Sequence, residues 1–158
     1  GEAEPSSQPT SVAVRCLRTG RPAGAAPSPS WAVLRGGTVK CWGRGCYGQL
    51  GNGSTSTQYT PVSVSSISTA TSVSAGDSHT CAVLSGGTVS CWGYGGYGRL
   101  GNGSTSTQYN PVSVSGISTA TSVSAGYMHT CAVLPGGTVK CWGFGSYGRV
   151  GNGSTTAN

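Results

Sequence analysis

Acidic residues are almost missing from this sequence, which has only Glu2, Glu4 and Asp77 among its 158 residues. Two of these three lie in the first four positions, so no pair of carboxylates can be assembled in the rest of the chain. This absence argues against enzymes that use paired carboxyl groups as general acid and base. No stretch is long and apolar enough to span a membrane either, so we expect no membrane insertion.

Residues that favour long helices (alanine, leucine, glutamate and lysine) are also scarce. Valine, threonine, serine, tyrosine and 28 glycines dominate instead, which favours short strands joined by tight turns. The compositional alternative is a disordered chain rich in serine and glycine. Regular alternation in "PVSVS" and "TSVSAG", together with four tryptophans, argues against disorder from residue 31 onward.

The positive charge is unevenly placed along the chain. The net charge is +6, and six of the nine basic residues lie in the first fifty positions. A basic arm can bind nucleic acid or an acidic surface, but no aromatic residues alternate with these arginines as they do in single-strand grooves. We therefore expect residues 1–30 to be an irregular or degenerate segment without a nucleic-acid partner. The opening "GEAEPSSQPT" lacks the apolar core of a signal peptide.

An internal repeat of fifty residues organises the rest of the chain. Residues 51–100 and 101–150 align without a gap and differ at nine positions, and residues 36–50 belong to an earlier copy. A fixed period near this length indicates stacked or radial units rather than one irregular domain. We therefore assign residues 31–158 to the repeats, with hairpins at 31–43, 79–93 and 129–143.

Each unit is predicted to contain four short strands. In the middle copy these are 71–75, 79–84, 88–93 and 111–115, separated by glycine-containing turns. Pro111 opens the last strand, where its missing N–H does little harm. The fold class is therefore all-β, with about three four-stranded units.

The central strands of the middle unit are apolar on both faces. Val83 and Val89 lie on one face, and Ala82, Leu84 and Trp92 lie on the other. Neighbouring units of the same kind can cover both faces. Radial packing gives a partial β-propeller, in which only residues 71–115 form a complete blade; a linear β-solenoid is the alternative. The first unit lacks a recognisable inner strand, and residues 9–14 fit the outer strand of a preceding blade.

The order "HTCAVL", "GGTV", "CWG", "YG", "LGNG" and "PV" resembles the repeats of the RCC1 (regulator of chromosome condensation) family, which are seven-bladed propellers. The resemblance covers residues 31–158 and implies that "TSVSAG" lies nearest the central channel and "PVSVS" outermost. The cysteine-flanked variant is similar to repeats of secreted or cell-surface bacterial members. Many members carry Asn or Asp soon after "WG", where this chain has Arg44, Tyr94 and Phe144, so family loop contacts do not transfer.

Four cysteines are placed to form two hairpin disulfides. Counting outward from the turn at 85–87 sets Cys81 opposite Cys91, and the same counting sets Cys131 opposite Cys141. Each bond would stabilise the fold by roughly 3 kcal/mol. The alternative is that these are buried thiols in a reducing cytosol. Disulfides indicate an extracellular, cell-surface or periplasmic location.

The first copy departs from this arrangement. Trp31 stands where Cys81 and Cys131 stand in the later copies, so Cys41 has no equivalent partner. Cys41 can instead bond Cys46 or Cys16, which would leave one thiol available to a second chain.

A glycine motif, G-x-G-x-x-G, occurs at residues 43–48, 93–98 and 143–148 and is typical of phosphate-binding loops. A nucleotide site needs a helix that begins at this loop, and "RLGNGSTST" will not form one. We therefore expect the glycines to allow positive φ and close backbone approach between units. No C-x-x-C is present for zinc, and the pair Asp77 and His79 is not repeated, because Tyr127 replaces the acid. No cofactor, no metal and no enzyme activity are expected.

The predicted function is a non-catalytic scaffold that binds a protein partner through loops on one rim. The resemblance to the RCC1 family implies two alternatives, a secreted inhibitor of propeller type and, less favoured, a guanine-nucleotide exchange factor. Each end of this row of blades would expose an apolar blade face, and we expect further blades or self-association to cover both faces. Tyr97, which recurs as Tyr47 and Tyr147, can instead pack between blades. The candidate contact residues are Tyr94, Tyr97, Arg99, Tyr127 and Phe144.

Overall fold

The computed structural model describes residues 13–14 and 28–153. Most of the segment that was predicted to be irregular, residues 1–30, lies outside these ranges. Cys16 also lies outside them, and so does its predicted bond. Within them the chain forms eleven strands and three 3-10 turns. The strands are β1 (Ala13–Val14), β2 (Ser30–Val33), β3 (Val39–Gly43), β4 (Gln58–Ser63), β5 (Ala70–Ala75), β6 (His79–Leu84), β7 (Val89–Gly93), β8 (Gln108–Ser113), β9 (Ser122–Ala125), β10 (His129–Val133) and β11 (Val139–Gly143), and the turns are Gly96–Gly98, Pro135–Gly137 and Ser146–Gly148.

The strands form three antiparallel sheets, each with neighbours in chain order. The first sheet has the order β1-β2-β3-β4, the middle sheet β5-β6-β7-β8, and the third sheet β9-β10-β11. Among the described residues, only the middle sheet has four strands that are each at least four residues long. The repeat in the sequence is therefore a repeat of sheets, as predicted.

The middle sheet follows the predicted strands closely except at its outer edge. The hairpin register is confirmed, since Val83 pairs with Val89 and Cys81 with Cys91. The last strand was predicted over 111–115, but β8 covers Gln108–Ser113, so Pro111 lies within the strand. An outermost strand tolerates this proline because one side needs no ladder hydrogen bond, and the pairing of β7 with β8 is already irregular there.

The first sheet corrects the interpretation of residues 9–14. These were predicted as the outer strand of a preceding blade, but Ala13 pairs with Val33 and Val14 with Ala32. The two residues of β1 therefore occupy the inner position of the first sheet. Sequence reasoning placed this strand in the wrong blade because the segment between it and β2 does not resemble the other copies.

The core consists of two apolar clusters, one on each side of the middle sheet. Ala82 and Trp92 lie in a cluster shared with Val39 and Leu50 of the first unit. Val83 and Val89 belong to the second cluster, which includes residues of the third unit. Both faces of the middle sheet are thus covered by its neighbours, which is how a four-stranded unit of this kind is stabilised.

Candidate functional site

The glycine-rich loops join each sheet to the next through one backbone carbonyl. The carbonyl oxygen of Gln49 accepts hydrogen bonds from the Thr80 hydroxyl and from the Trp92 indole, both at 2.9 Å. We call this arrangement the loop joint. A second loop joint lies one repeat later, where Arg99 O accepts from Thr130 at 2.8 Å and from Trp142 at 3.0 Å.

The glycine motif shapes these loops and does not form a nucleotide site. Gly93 and Gly98 have φ values of 104° and 72°, which favour glycine. Gly95 has an ordinary φ of −92°, but a Cβ atom there would overlap the carbonyl oxygen of Ser106. The motif leads into the 3-10 turn Gly96–Gly98 and not into an α-helix. The helix N-terminus that would bind a pyrophosphate is therefore missing from this loop.

Replacing Gly95 with alanine should lower the free energy of unfolding by about 3 kcal/mol, the upper range for overpacking, because the obstacle is backbone. Gly103→Ala is the matched control, since Gly103 has a φ of 78° but open space around it. The control should cost only about 1 kcal/mol, from the left-handed backbone alone. Urea denaturation of both variants measures the difference, and equal losses would contradict the steric role of Gly95.

Aromatic side chains from the loops pack against each other in tilted pairs across the sheet boundaries on one rim. The ring centroids of Tyr47 and Tyr94 lie 5.3 Å apart, and those of Tyr97 and Phe144 lie 4.5 Å apart. Tyr97 therefore does contact the next unit, as the packing alternative predicted, yet 45% of it stays exposed. We call this surface the aromatic rim; it comprises Tyr47, Tyr94, Tyr97, Tyr127, Phe144 and Tyr147.

Arg99 lies beneath the rim, and this revises its prediction as a contact residue. Its side chain is buried, with Nε donating to Gly96 O at 2.9 Å and Nη1 donating to Tyr127 O at 3.0 Å. The guanidinium carbon lies 4.7 Å from the ring centroid of Tyr94 and 5.8 Å from that of Tyr97. Burial lowers the pKa of Arg99 from its ordinary value, and the nearby tyrosines and Asp77 oppose this shift. Arg99 therefore supports the rim from inside.

The other predicted contact residues lie closer to solvent. Tyr94 and Tyr127 are exposed, and Phe144 is half-buried. Tyr97 and Tyr147 have φ values of 62° and 63°, in the left-handed region that side-chain-bearing residues rarely adopt. Such strain concentrates at functional sites.

The sequence matches the profile of the regulator of chromosome condensation (RCC1) repeat over residues 36–83 and 86–133. A second profile of the same description matches residues 70–99 and 120–149. The chain belongs to the RCC1 repeat family. No curated protein matches the chain at the sequence level.

Solved structures of other proteins are similar to this chain in fold. Prp20p of Saccharomyces cerevisiae, studied for its binding to Gsp1p and histones, has a TM-score of 0.74 and 20% identity over 84% of this chain and 35% of that chain. The same yeast RCC1 bound to Kap60 gives 0.73 and 19% over 84% and 34%, and human WBSCR16 gives 0.71 and 20% over 84% and 36%. The chain thus spans about a third of their length. The fold is a partial β-propeller and not a solenoid.

His79 of the middle RCC1 repeat links its blade to the next one. Nε2–H of His79 donates to the Thr130 hydroxyl at 2.8 Å, because that hydroxyl already donates to Arg99 O. Burial, followed by the nearby Arg99 and His129, lowers the pKa of His79 to about 3, whereas Asp77 opposes the shift. Burial and then Arg149 also lower the pKa of His129. His79 is therefore a neutral hydrogen-bond donor and not a proton-transfer group at neutral pH.

Two disulfides close the predicted RCC1 hairpins. Cys81 is bonded to Cys91 with a Cα–Cα distance of 4.1 Å, and Cys131 to Cys141 with 4.0 Å. Both pairs occupy the registers expected from the hairpin turns. Each bond ties the two central strands of a blade together.

Cys41 and Cys46 of the first blade remain thiols, and a bond between them is not formed. Cys41 pairs with Trp31 on β2 and is buried, whereas Cys46 is exposed on the following loop. Burial raises the pKa of Cys41 to about 12, so this thiol stays protonated. Arg44 Nε donates to Cys46 Sγ at 3.0 Å.

Sequence reasoning missed the loop joints and part of the aromatic rim. The repetition of Thr80 and Trp92 as Thr130 and Trp142 was the signal for the joints. Tyr147, which is 93% exposed, was recognisable only as a copy of Tyr97. Within the described ranges, the chain has no helix that is long and apolar enough to cross a membrane.

Proposed function

We propose that this chain is a non-catalytic scaffold that binds a protein partner through the aromatic rim. The observation that carries the proposal is the two tilted pairs of partly exposed aromatic rings that connect three blades. Tyrosine is enriched at binding hot spots because it offers a large contact area with a polar tip.

The rim is also held in place before any partner arrives. Arg99 contacts the rings of Tyr94 and Tyr97, and its hydrogen bond to Tyr127 O fixes the neighbouring loop. Arg149 lies over Phe144 and Tyr147 at 5.3 Å and 5.6 Å in the same manner. Side chains that are ordered in advance lose less entropy on binding. This preorganisation supports a contact surface.

The groups capable of chemistry in the middle blade are occupied by the fold, which supports a non-catalytic role. His79 bonds Thr130, and the Asp77 carboxylate accepts a hydrogen bond from the Ser78 hydroxyl at 2.6 Å. Cys81 and Cys91 are joined to each other. Binding of Prp20p to Gsp1p and histones, and of yeast RCC1 to Kap60, supports a protein as the class of partner.

A photo-cross-linking residue, p-benzoylphenylalanine, tests the rim when it replaces Tyr97 or Tyr127 in the full chain produced in its native cells. Irradiation should give a discrete adduct with another protein. Tyr59 is the control position, because it is 92% exposed on β4 and lies outside the rim. The proposal fails if positions 97 and 127 give no adduct, or if position 59 gives the same one.

We also propose that the chain works outside the cytosol, at the cell surface, in the periplasm or in the medium. The two hairpin disulfides support this location, because such bonds persist in oxidising compartments. Non-reducing peptide mapping of the protein from its source should recover Cys81–Cys91 and Cys131–Cys141 linked. Free thiols at these four positions would argue for a reducing compartment. Further blades, or a second copy, would cover the outer faces of the first and third blades.

A further inference from the structure

An Asn-Gly pair lies in the loop of the first blade that contacts the middle blade. Asn52 and Gly53 form this pair, which recurs at 102–103 and 152–153. Asn-Gly pairs favour tight turns, and Gly53 has a φ of 78°, which favours glycine. In flexible peptides the pair is chemically unstable, because glycine has no side chain to hinder attack by its own nitrogen on the asparagine.

The reaction of such a pair is an intramolecular ring closure. The nitrogen of Gly53 attacks Cγ of Asn52, and the side-chain amide leaves as ammonia, which carries away the N–H proton. Water then opens the resulting succinimide, at Cγ to give aspartate or at the backbone carbonyl carbon to give isoaspartate. In isoaspartate the backbone runs through Cβ and Cγ of the former side chain. Water is the only other reactant, and the product has one new carboxylate.

The middle blade holds the atom that would attack. Gly53 N donates to Tyr109 O on β8 at 3.0 Å, so its N–H is engaged in a hydrogen bond across the boundary. The carboxamide of Asn52 is held as well, because Ser54 N donates to Asn52 Oδ1 at 3.2 Å. Ring closure requires both groups to leave these positions, and the folded boundary therefore protects Asn52.

The protecting bond belongs to the same boundary as the loop joint. Gly48, in the same loop, lies so close to Tyr109 that a Cβ atom on Gly48 would overlap the Tyr109 ring and Cα. Gln49 O accepts from Thr80 and Trp92 of the middle blade. The contacts of this loop with the middle blade are therefore expected to be lost together, as a local opening that does not require the whole chain to unfold.

We propose that Asn52 is a self-modifying site, which stays intact while the first and middle blades are in contact and converts to isoaspartate or aspartate when this boundary opens. The conversion is one-way, because the ammonia is lost. Isoaspartate lengthens the backbone before Gly53, so Gly53 N no longer meets Tyr109 O in the same geometry and the boundary closes less well. The chain thereby keeps a chemical record of opening. This site does not depend on the function proposed for the aromatic rim.

Peptide mapping of the full chain after incubation at mildly alkaline pH tests the protection of Asn52. Trypsin cleaves after Arg99 and so separates Asn52 from Asn102. The end-capped peptide LGNGSTS, residues 50–56, gives the rate of an unprotected pair. Conversion at Asn52 in the folded chain should be at least about tenfold slower, because only the open fraction reacts. Equal rates in the chain and the peptide would overturn the proposal.

Variants of the loop joint test whether opening of this boundary controls the reaction. Trp92→Ala should bring the rate at Asn52 toward that of the peptide. Thr80→Val removes one hydroxyl donor to Gln49 O and should raise the rate about fivefold, the effect of one hydrogen bond; circular dichroism checks that both variants are folded. Trp142→Ala weakens the next boundary and should leave Asn52 unchanged. An unchanged rate in Thr80→Val, or equal acceleration by Trp142→Ala, would contradict control by this boundary.

The converted chain itself tests the one-way effect on the boundary. In a chain with Asn102→Ser and Asn152→Ser, Asn52 and Gly53 form the only Asn-Gly pair, and cation exchange separates the converted form by its extra negative charge. Hydrogen exchange at the Trp92 indole, which bonds Gln49 O, should be faster in the converted form. Identical exchange in the two forms would show that conversion leaves the boundary able to close, against the proposal.

Discussion

Replacing Trp92 with alanine is expected to lower the free energy of unfolding by about 3–5 kcal/mol, the range for a large buried aromatic side chain. Trp92 is 0% exposed and lies in the cluster between the first and middle blades. The substitution also removes the indole N–H that donates to Gln49 O. Chemical denaturation followed by circular dichroism measures the loss.

Trp142→Ala is the matched control for this prediction. Trp142 has the same place in its blade and the same kind of hydrogen bond, to Arg99 O, but it is half-buried. Its loss should be about half as large, because the cost follows the apolar area removed from water. Trp92→Phe keeps most of the ring and should lose only about 1 kcal/mol with the hydrogen bond. Equal effects of Trp92→Ala and Trp142→Ala would show that burial does not set the stability of these joints.

Acidification from pH 6.5 to pH 4.5 is expected to destabilise the fold by about 2 kcal/mol through His79, because the slope approaches about 1.4 kcal/mol per pH unit only below the pKa of the unfolded histidine. Burial lowers the pKa of His79 to about 3, whereas an unfolded histidine titrates near 6.5. Between these values the unfolded chain binds a proton that the folded chain does not. The stability contributed by neutral His79 is therefore complete above about pH 6.5 and falls as the pH drops toward 3.

The chain suits this measurement, because the sequence has only three acidic residues, Glu2, Glu4 and Asp77. The control is His79→Gln, which keeps an N–H donor for Thr130 but has no proton to gain. Its free energy of unfolding should depend much less on pH, with the remaining slope coming from His129, whose pKa is also lowered. A wild-type stability that stays constant from pH 7 to pH 4.5 would show that His79 is protonated in the folded state.

Most of the fold was predictable because the local signals and the repeat agreed. The turn at 85–87 fixed the register of the hairpin, and therefore the opposition of Cys81 and Cys91. Apolar residues on both faces of the strands required neighbours on both sides, and the two clusters around the middle sheet meet that requirement. The role of the glycine motif followed from the absence of a helix after it.

The remaining features depend on contacts between blades that a single copy does not reveal. The burial of Arg99 follows from the position of Tyr127 in the next blade, which no spacing within one repeat encodes. The early start of β8 depends on an irregular pairing with β7. β1 was assigned to the wrong blade because the segment between it and β2 does not resemble the other copies. Side-chain identity suggested the aromatic rim, whereas its internal support became visible only in three dimensions.

The loop joint has a consequence for how such chains change in length. Each fifty-residue unit carries the carbonyl acceptor at its end, as in Gln49 and Arg99, and the threonine and tryptophan donors earlier in the unit. Tandem duplication of one unit in the gene would therefore supply an acceptor and two donors together, with every new boundary satisfied. Copy number can rise or fall by recombination while the chemistry at each boundary is inherited unchanged.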